Sequence, residues 1–454
     1  MNRKPSSSVA RFVGVALLAG TLVAGCRFDE SVPLAVEERL GAIDPRRIVA
    51  VGDDFAAGAA DGALYAGAQS FSLPALLAAH LGGEPILQPL VSDAGLSLDG
   101  AGAGRLRLLS LEPLELARDA PGTPLVPSPG RPFDNLGVPG ALVSEALVAE
   151  SSATSSLGNP FFDLVLGGRG TFAEQVAELD PTLVLFWIGT SDVLRYVAAG
   201  GDPDLAPGLP TPVGTFANAY EALLDALLAT TDQVVLFTIP DPRSMPVTHA
   251  IPGIVLDPDT GRPVIITVIE PVIDPLTGEP VVDPVTGDTL MAQRQSTVPL
   301  LGPGGPLAPT DLVVLDALPL LAERIGVPVA VGGTGAPLPD RAVLDAAEQA
   351  DVGAAVLGYN QTIAALAVEH DLPLVDVHAL VERLATQGLV SDGVQLSADY
   401  ATGQALSLDG ARFTPKGYGV VANLALDALA RRYGAAVPHL RTANLPGTPL
   451  LDLR

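Results

Sequence analysis

The chain has 454 residues, with 51 acidic against 25 basic side chains, a formal charge of −26, 48 glycines, 42 prolines and a single cysteine. A hydrophobic content of 48% can fill a core, which excludes a wholly disordered chain, and the acid excess excludes a nucleic-acid binder, because neutralising phosphates needs a basic face. One cysteine excludes an internal disulfide, no Cys/His cluster marks a metal site, and the loop after the first strand lacks the glycine spacing that cradles a nucleotide, so neither metal nor cofactor is expected.

The N-terminus carries Arg3, Lys4 and Arg11 and then an apolar run from Phe12 to Ala24 that is too short to span a bilayer. The run ends in Leu22-Val23-Ala24-Gly25-Cys26, which looks like a bacterial lipobox. Residues 1–25 are therefore expected to be a lipoprotein signal peptide, with Cys26 acylated and inserted into a lipid bilayer. The expected location is an exported protein of the bacterial cell envelope, lipid-anchored at the cell membrane or the outer membrane. Residues 26–45 read as a tether.

The first strong strand is expected at Arg47 to Val51, and apolar runs of strand character recur at Leu183 to Ile188, Val234 to Ile239 and Leu372 to Val377. Helical periodicity occupies Phe71 to Leu81, Phe172 to Leu179, Phe216 to Leu228, Arg341 to Ala367 and Tyr418 to Tyr433. Short apolar strands separated by amphipathic helices predict an α/β fold with a parallel sheet covered on both faces. The chemistry of such a fold belongs in the loops after the strands' carboxyl ends. Residues 46–435 are expected to form one domain with two insertions, and residues 436–454 a tail.

Residues 84–132, rich in Gly, Pro and Leu, lack a clear period and read as a lid-like insertion. Residues 250–306 hold an internal repeat, Asp257-Pro-Asp-Thr-Gly261, Asp274-Pro-Leu-Thr-Gly278 and Asp283-Pro-Val-Thr-Gly287, each copy set between β-branched runs. That pattern predicts a β-hairpin arm, available to a protein partner, with its aspartates serving turns and not calcium.

The loop after the first strand reads Val51-Gly52-Asp53-Asp54-Phe55-Ala56-Ala57-Gly58 and resembles the first block of the SGNH, or GDSL, hydrolases. Asn135-Leu-Gly-Val-Pro-Gly140 is similar to the second block, Ile188-Gly189-Thr190-Ser191-Asp192-Val193 to the third, and Leu408-Asp409-Gly410-Ala411-Arg412-Phe413-Thr414-Pro415 to the last. The resemblance implies a flavodoxin-like three-layer α/β/α fold and ester hydrolysis. It assigns Asp54 to the nucleophile position, Gly140 and Ser191 to the oxyanion positions, and Asp409 and Arg412 to those of the catalytic Asp and His.

Three of these five positions depart from the family. Asp54 replaces serine, Arg412 replaces histidine and Ser191 replaces asparagine. Serine hydrolysis needs a hydroxyl to attack and a neutral imidazole to take its proton, and arginine stays protonated. Losing either group costs about a millionfold in turnover, against about 10²–10³ for one oxyanion donor. No serine, threonine or cysteine lies between Ser31 and Ser70, and no histidine between His378 and His439, so no neighbour restores either role. His378 follows Asp376 at a strand end and reads as a helix-start residue.

In the family's arrangement Asp54 and Arg412 lie within reach, which predicts a bidentate ion pair with Asp409 as second acceptor. The expectation is a membrane-anchored, catalytically degenerate SGNH-type protein acting as a binding or structural module. Asp53, Asp54, Gly140, Ser191, Asp192 and Arg412 are its candidate contacts for an acyl-ester or polar small-molecule ligand. The alternative is an active carboxylic-ester hydrolase centred on Asp54. A third possibility is a surface protein whose arm recruits a partner by strand addition.

Overall fold

The computed structural model describes residues 39–448 except 101 and 128. The signal peptide, Cys26 and most of the tether, together with the last six residues of the tail, lie outside the described residues. Five strands form one sheet: β1 (Ile48–Gly52), β2 (Asn135–Gly137), β3 (Leu183–Trp187), β4 (Val234–Phe237) and β5 (Leu374–Val375). All pairings are parallel, in the order β5-β4-β3-β1-β2. Every residue of β1, β3 and β4 is buried. Since successive side chains point to opposite faces, both faces of the sheet are covered, as the continuous apolar runs require.

Eight helices position the site and the cover: α1 (Asp54–Ala57), α2 (Leu73–Leu81), α3 (Phe172–Leu179), α4 (Ser191–Ala198), α5 (Val213–Leu228), α6 (Ala346–Glu369), α7 (Val377–Thr386) and α8 (Pro415–Tyr433). Helices α2 and α8 pack together, while α3, α5 and α6 form a second packed group. Local chemistry sets several of their ends. Asp345 accepts from the amides of Ala347 and Glu348 at the start of α6, and Asp376 accepts from Ala379 at the start of α7. Under the carboxyl ends of the central strands, Trp187 stacks on Phe237 with ring centroids 4.9 Å apart, and Phe55 and Phe413 close the cluster.

The two strands beside β1 are β2 and β3, so the chain leaves β1 toward one edge and returns on the other side. The switch point of the sheet is at β1 and β3, where a parallel α/β sheet opens its crevice. The loop after β1 carries Asp53 and Asp54; the loop after β3 carries Ser191.

Both insertions have structure of their own. The first contains an antiparallel ribbon, Leu106–Leu111 with Leu114–Arg118, whose register shifts between Leu108 and Ser110. That shift breaks the period-two alternation and hides the ribbon from a sequence pattern. Its leucines pack with Tyr400, Ala401 and Leu408.

The second insertion reaches further than its repeats. Ile251, Val255, Val298, Leu300, Val313, Leu338 and Val343 bury one another in a small separate core that takes in residues well past 306. From this base projects a ribbon, Ile265–Pro271 paired with Met291–Thr297. Each repeat closes a turn: Gly261, Gly278 and Gly287 have φ of +66°, +71° and +76°, and their amides donate to the carbonyls of Asp257, Asp274 and Asp283. The aspartate carboxylates accept from amides within the same turns. The turn at Gly261 lies close to Glu112 of the first insertion, 3.6 Å from where a Cβ on that glycine would stand.

Candidate functional site

Asp53 and Asp54 follow the first strand directly, and its last residue, Gly52, sits where no side chain fits. A Cβ on Gly52 would fall 1.8 Å from the Trp187 carbonyl oxygen. Asp53 then caps α1, its Oδ1 accepting from the Phe55 amide at 3.3 Å. Its Oδ2 accepts from the amides of Gly189, Thr190 and Ser191 at 3.1, 2.7 and 3.1 Å. One buried carboxylate thus ties the loop after β1 to the first turn of α4. Burial and the charge of Asp54 push its carboxyl up, to about 8, while the Ser191 and Phe55 amides pull it down.

Asp54 is 2% exposed. Its Oδ2 accepts from Ser191 Oγ at 2.9 Å and lies 3.3 Å from Arg412 Nη2. Arg412 Nη1 lies 3.9 Å from Asp409 Oδ2. Residues 54, 191, 409 and 412 are therefore brought together, and Arg412 does face Asp54 with Asp409 as a second carboxylate. The pair is not the bidentate fork expected. Asp54 Oδ1 and Arg412 Nε are buried without a hydrogen-bond partner among the described residues, because the guanidinium reaches Asp54 by one corner while its other arm leans to Asp409. Burial works against the Arg412 charge, but Asp54 and Asp409 outweigh it and hold the guanidinium above its ordinary range. It is a permanent cation there, with a side chain only 16% exposed.

Asp409 is itself a hub. Its Oδ1 accepts from the Ala411 and Arg412 amides, each at 2.8 Å, and its Oδ2 from the Gly62 amide at 2.7 Å. Asp61 returns the connection, accepting from the Leu408 amide at 3.0 Å and from Tyr65 Oη at 2.7 Å. The Asp61 amide donates to Ser407 Oγ at 2.9 Å. This stitching of residues 61–65 to 407–412 was invisible in the sequence, where Asp61 and Ser407 lie just outside the quoted segments. Leu408, next to Ser407, is one of the residues on which the ribbon of the first insertion packs.

The other predicted residues have different partners. Asp192 is fully buried, with Oδ1 accepting from Thr211 Oγ1 at 2.6 Å and Oδ2 from the Val143 amide at 3.0 Å; both its oxygens are taken up internally, like those of Asp53. Gly140 has φ +74°, and its carbonyl accepts from Arg195 Nη1 at 3.3 Å. Asn159, absent from the sequence reading, stands beside it, with Nδ2 donating to the Pro139 carbonyl at 2.7 Å. His378 opens α7, its amide donating to Thr238 Oγ1 at 2.9 Å. Among the described residues no hydrogen bond joins His378 to Asp54, Ser191 or Arg412.

Chemically, the arrangement is a sealed ion-pair network. Asp53 and Ser191 are fully buried, Asp54 nearly so, and two cavities elsewhere, of about 240 and 230 Å³, are lined by other residues. Among the described residues no group of three or more His, Cys, Asp or Glu side chains is placed to hold a metal ion, and no helix is long and apolar enough to cross a membrane. Neither a family model nor a curated protein sequence matches the chain.

Proposed function

We propose that this is a lipid-anchored envelope protein of the SGNH type that has exchanged its ester-hydrolysing centre for an ion pair and works as a binding or structural module. The observation that carries the proposal is Asp54, held at 2% exposure between Ser191 Oγ and the Arg412 guanidinium. Neither side chain offers both a nucleophile and a base. A carboxylate that already accepts from Ser191 and faces a permanent cation is a poor proton acceptor for water, and Arg412 cannot return a proton to a leaving group. The sheet order, with Asp54 and Ser191 at the switch point, agrees with the fold that the four sequence blocks imply.

The test is an ester panel. Residues 27–454, freed of the lipid, are assayed on short and long acyl esters beside Asp54→Ala and the double change Asp54→Ser with Arg412→His. No turnover by the wild type is expected, and any gain should appear in the double change. Wild-type turnover that vanishes in Asp54→Ala would overturn the proposal in favour of an Asp54-centred esterase.

A further inference from the structure

The arm's ribbon is built the wrong way round for a free-standing pair of strands. Ile265–Pro271 reads Ile-Ile-Thr-Val-Ile-Glu-Pro, with Ile265 and Ile269 on one face and Ile266 and Val268 on the other. A strand apolar on both faces is the pattern of a strand inside a sheet. Its neighbour, Met291–Thr297, reads Met-Ala-Gln-Arg-Gln-Ser-Thr, the polar, charge-bearing pattern of an edge. Yet the sheet has two strands, so the inner-type strand is itself an edge, and Ile265, Ile266 and Ile269 are 60%, 39% and 64% exposed. An isolated two-stranded ribbon is marginal in water.

We infer that the free edge of Ile265–Pro271 pairs antiparallel with the same strand of a second copy, making a four-stranded sheet about a two-fold axis through Thr267. The strand is complementary to itself in that register. Ile265 meets Ile269 of the second copy, Ile266 meets its Val268, and Thr267 meets its Thr267, which are β-branched pairs and a Thr–Thr pair of the kind that stabilises antiparallel strands. No charge lies between Ile265 and Ile269, and Glu270 falls opposite Val264, so no like charges are opposed. The two inner-type strands become the centre of the sheet and the two Met291–Thr297 strands its edges.

The overall acidity does not prevent this contact. Seven residues per strand make a ribbon about 24 Å long, and antiparallel pairing places the two acidic arm tips, with Asp274, Glu279, Asp283 and Asp288, at opposite ends of it, each on the side of the other copy's base. That separation exceeds the Debye length of about 8 Å at physiological salt. A closed two-fold contact also consumes both free inner edges and leaves none to propagate.

The test exploits the axis. Sedimentation velocity of the purified full chain in a nonionic detergent should show a monomer–dimer equilibrium in the micromolar range. Thr267→Lys and Thr267→Glu each place like charges across the axis and should weaken dimerisation about tenfold. Thr267 is exposed, so the melting temperature should not move. Mixing the two variants should restore the dimer as a Lys–Glu heterodimer, which a merely misfolded arm would not do. A wild type that stays monomeric across that range, variants that dimerise as tightly as wild type, or a mixture no more associated than its components would each overturn the inference.

Discussion

Replacing Arg412 with methionine tests whether Asp54 depends on it. The substitution keeps much of the side-chain volume but leaves Asp54, 2% exposed, with the Ser191 hydroxyl as its one hydrogen-bond donor. At a closest approach of 3.3 Å the gross attraction is about 5 kcal/mol for an effective dielectric near 20. Removing one partner of a fully buried pair costs about 3–5 kcal/mol, mostly for stranding the other charge. The Arg412 side chain is 16% exposed and meets Asp54 by one corner of the guanidinium only, so the expected loss is smaller, about 2–3 kcal/mol. Asp54→Ala, which leaves Arg412 beside Asp409, should cost about 1–2 kcal/mol. The double change should lose less than the sum by about 1–2 kcal/mol, because no charge is then stranded. Urea unfolding of the four proteins measures this coupling. A value below about 0.3 kcal/mol would show that the two groups are neighbours without mutual dependence and would refute the ion-pair account.

Asp192 gives a pH signature. Burial pushes its carboxyl up to about 7 from the ordinary 3.8, against the bonds from Thr211 and Val143. The folded chain therefore keeps a proton that the unfolded chain has released, so this contribution favours folding at low pH and is lost as pH rises through 7. Asp192→Asn can still accept from Val143 and donate to Thr211, so calorimetry should show its melting temperature gaining on wild type between about pH 5 and about pH 8; a constant difference would count against the assignment. Gly410 has φ +72°, and a Cβ there would sit 2.5 Å from the Val247 amide nitrogen. Gly410→Ala should cost about 1–3 kcal/mol in urea unfolding, and a neutral result would mean that the turn presenting Asp409 and Arg412 is slack.

What the sequence made legible follows from how each element is stabilised. β1, β3 and β4 are continuous apolar runs because both sheet faces are covered, and helix α3 was read to the residue because a strong apolar face and a Thr171–Glu174 capping box bound it. β2 was seen as a motif and not as a strand, since Asn135-Leu-Gly137 has no apolar run and becomes a strand by pairing with Ala50–Gly52. Helix α4 escaped because it is short and opens on Ser191 and Asp192, which the motif reading had already claimed, and of α7 only the start at His378 was read. The approach of Asp54 to Arg412 was legible only through the family resemblance, for the two lie near opposite ends of the domain's sequence. The sealing of the site was not legible at all. Nor was the packing of the first insertion's leucine ribbon on Leu408, a tertiary contact that a bulged register conceals.

The distribution of donors around the sheet's carboxyl end explains why this network hinges on one arginine. Of the buried acids there, three are held by main chain: Asp53 by the amides of residues 189–191 and 55, Asp409 by those of 62, 411 and 412, and Asp192 by Val143 with the Thr211 hydroxyl. Main-chain donors are fixed by the fold and survive any single substitution of their own side chains. Asp54 has no main-chain donor to either oxygen; it rests on the Ser191 hydroxyl and the Arg412 guanidinium, with Oδ1 unpartnered. Its charge is therefore the one that loss of a single neighbouring side chain strands. A carboxylate held in this way is locked only while Arg412 stays in place, so the network depends on the loop from Leu408 to Arg412, against which the ribbon of the first insertion packs.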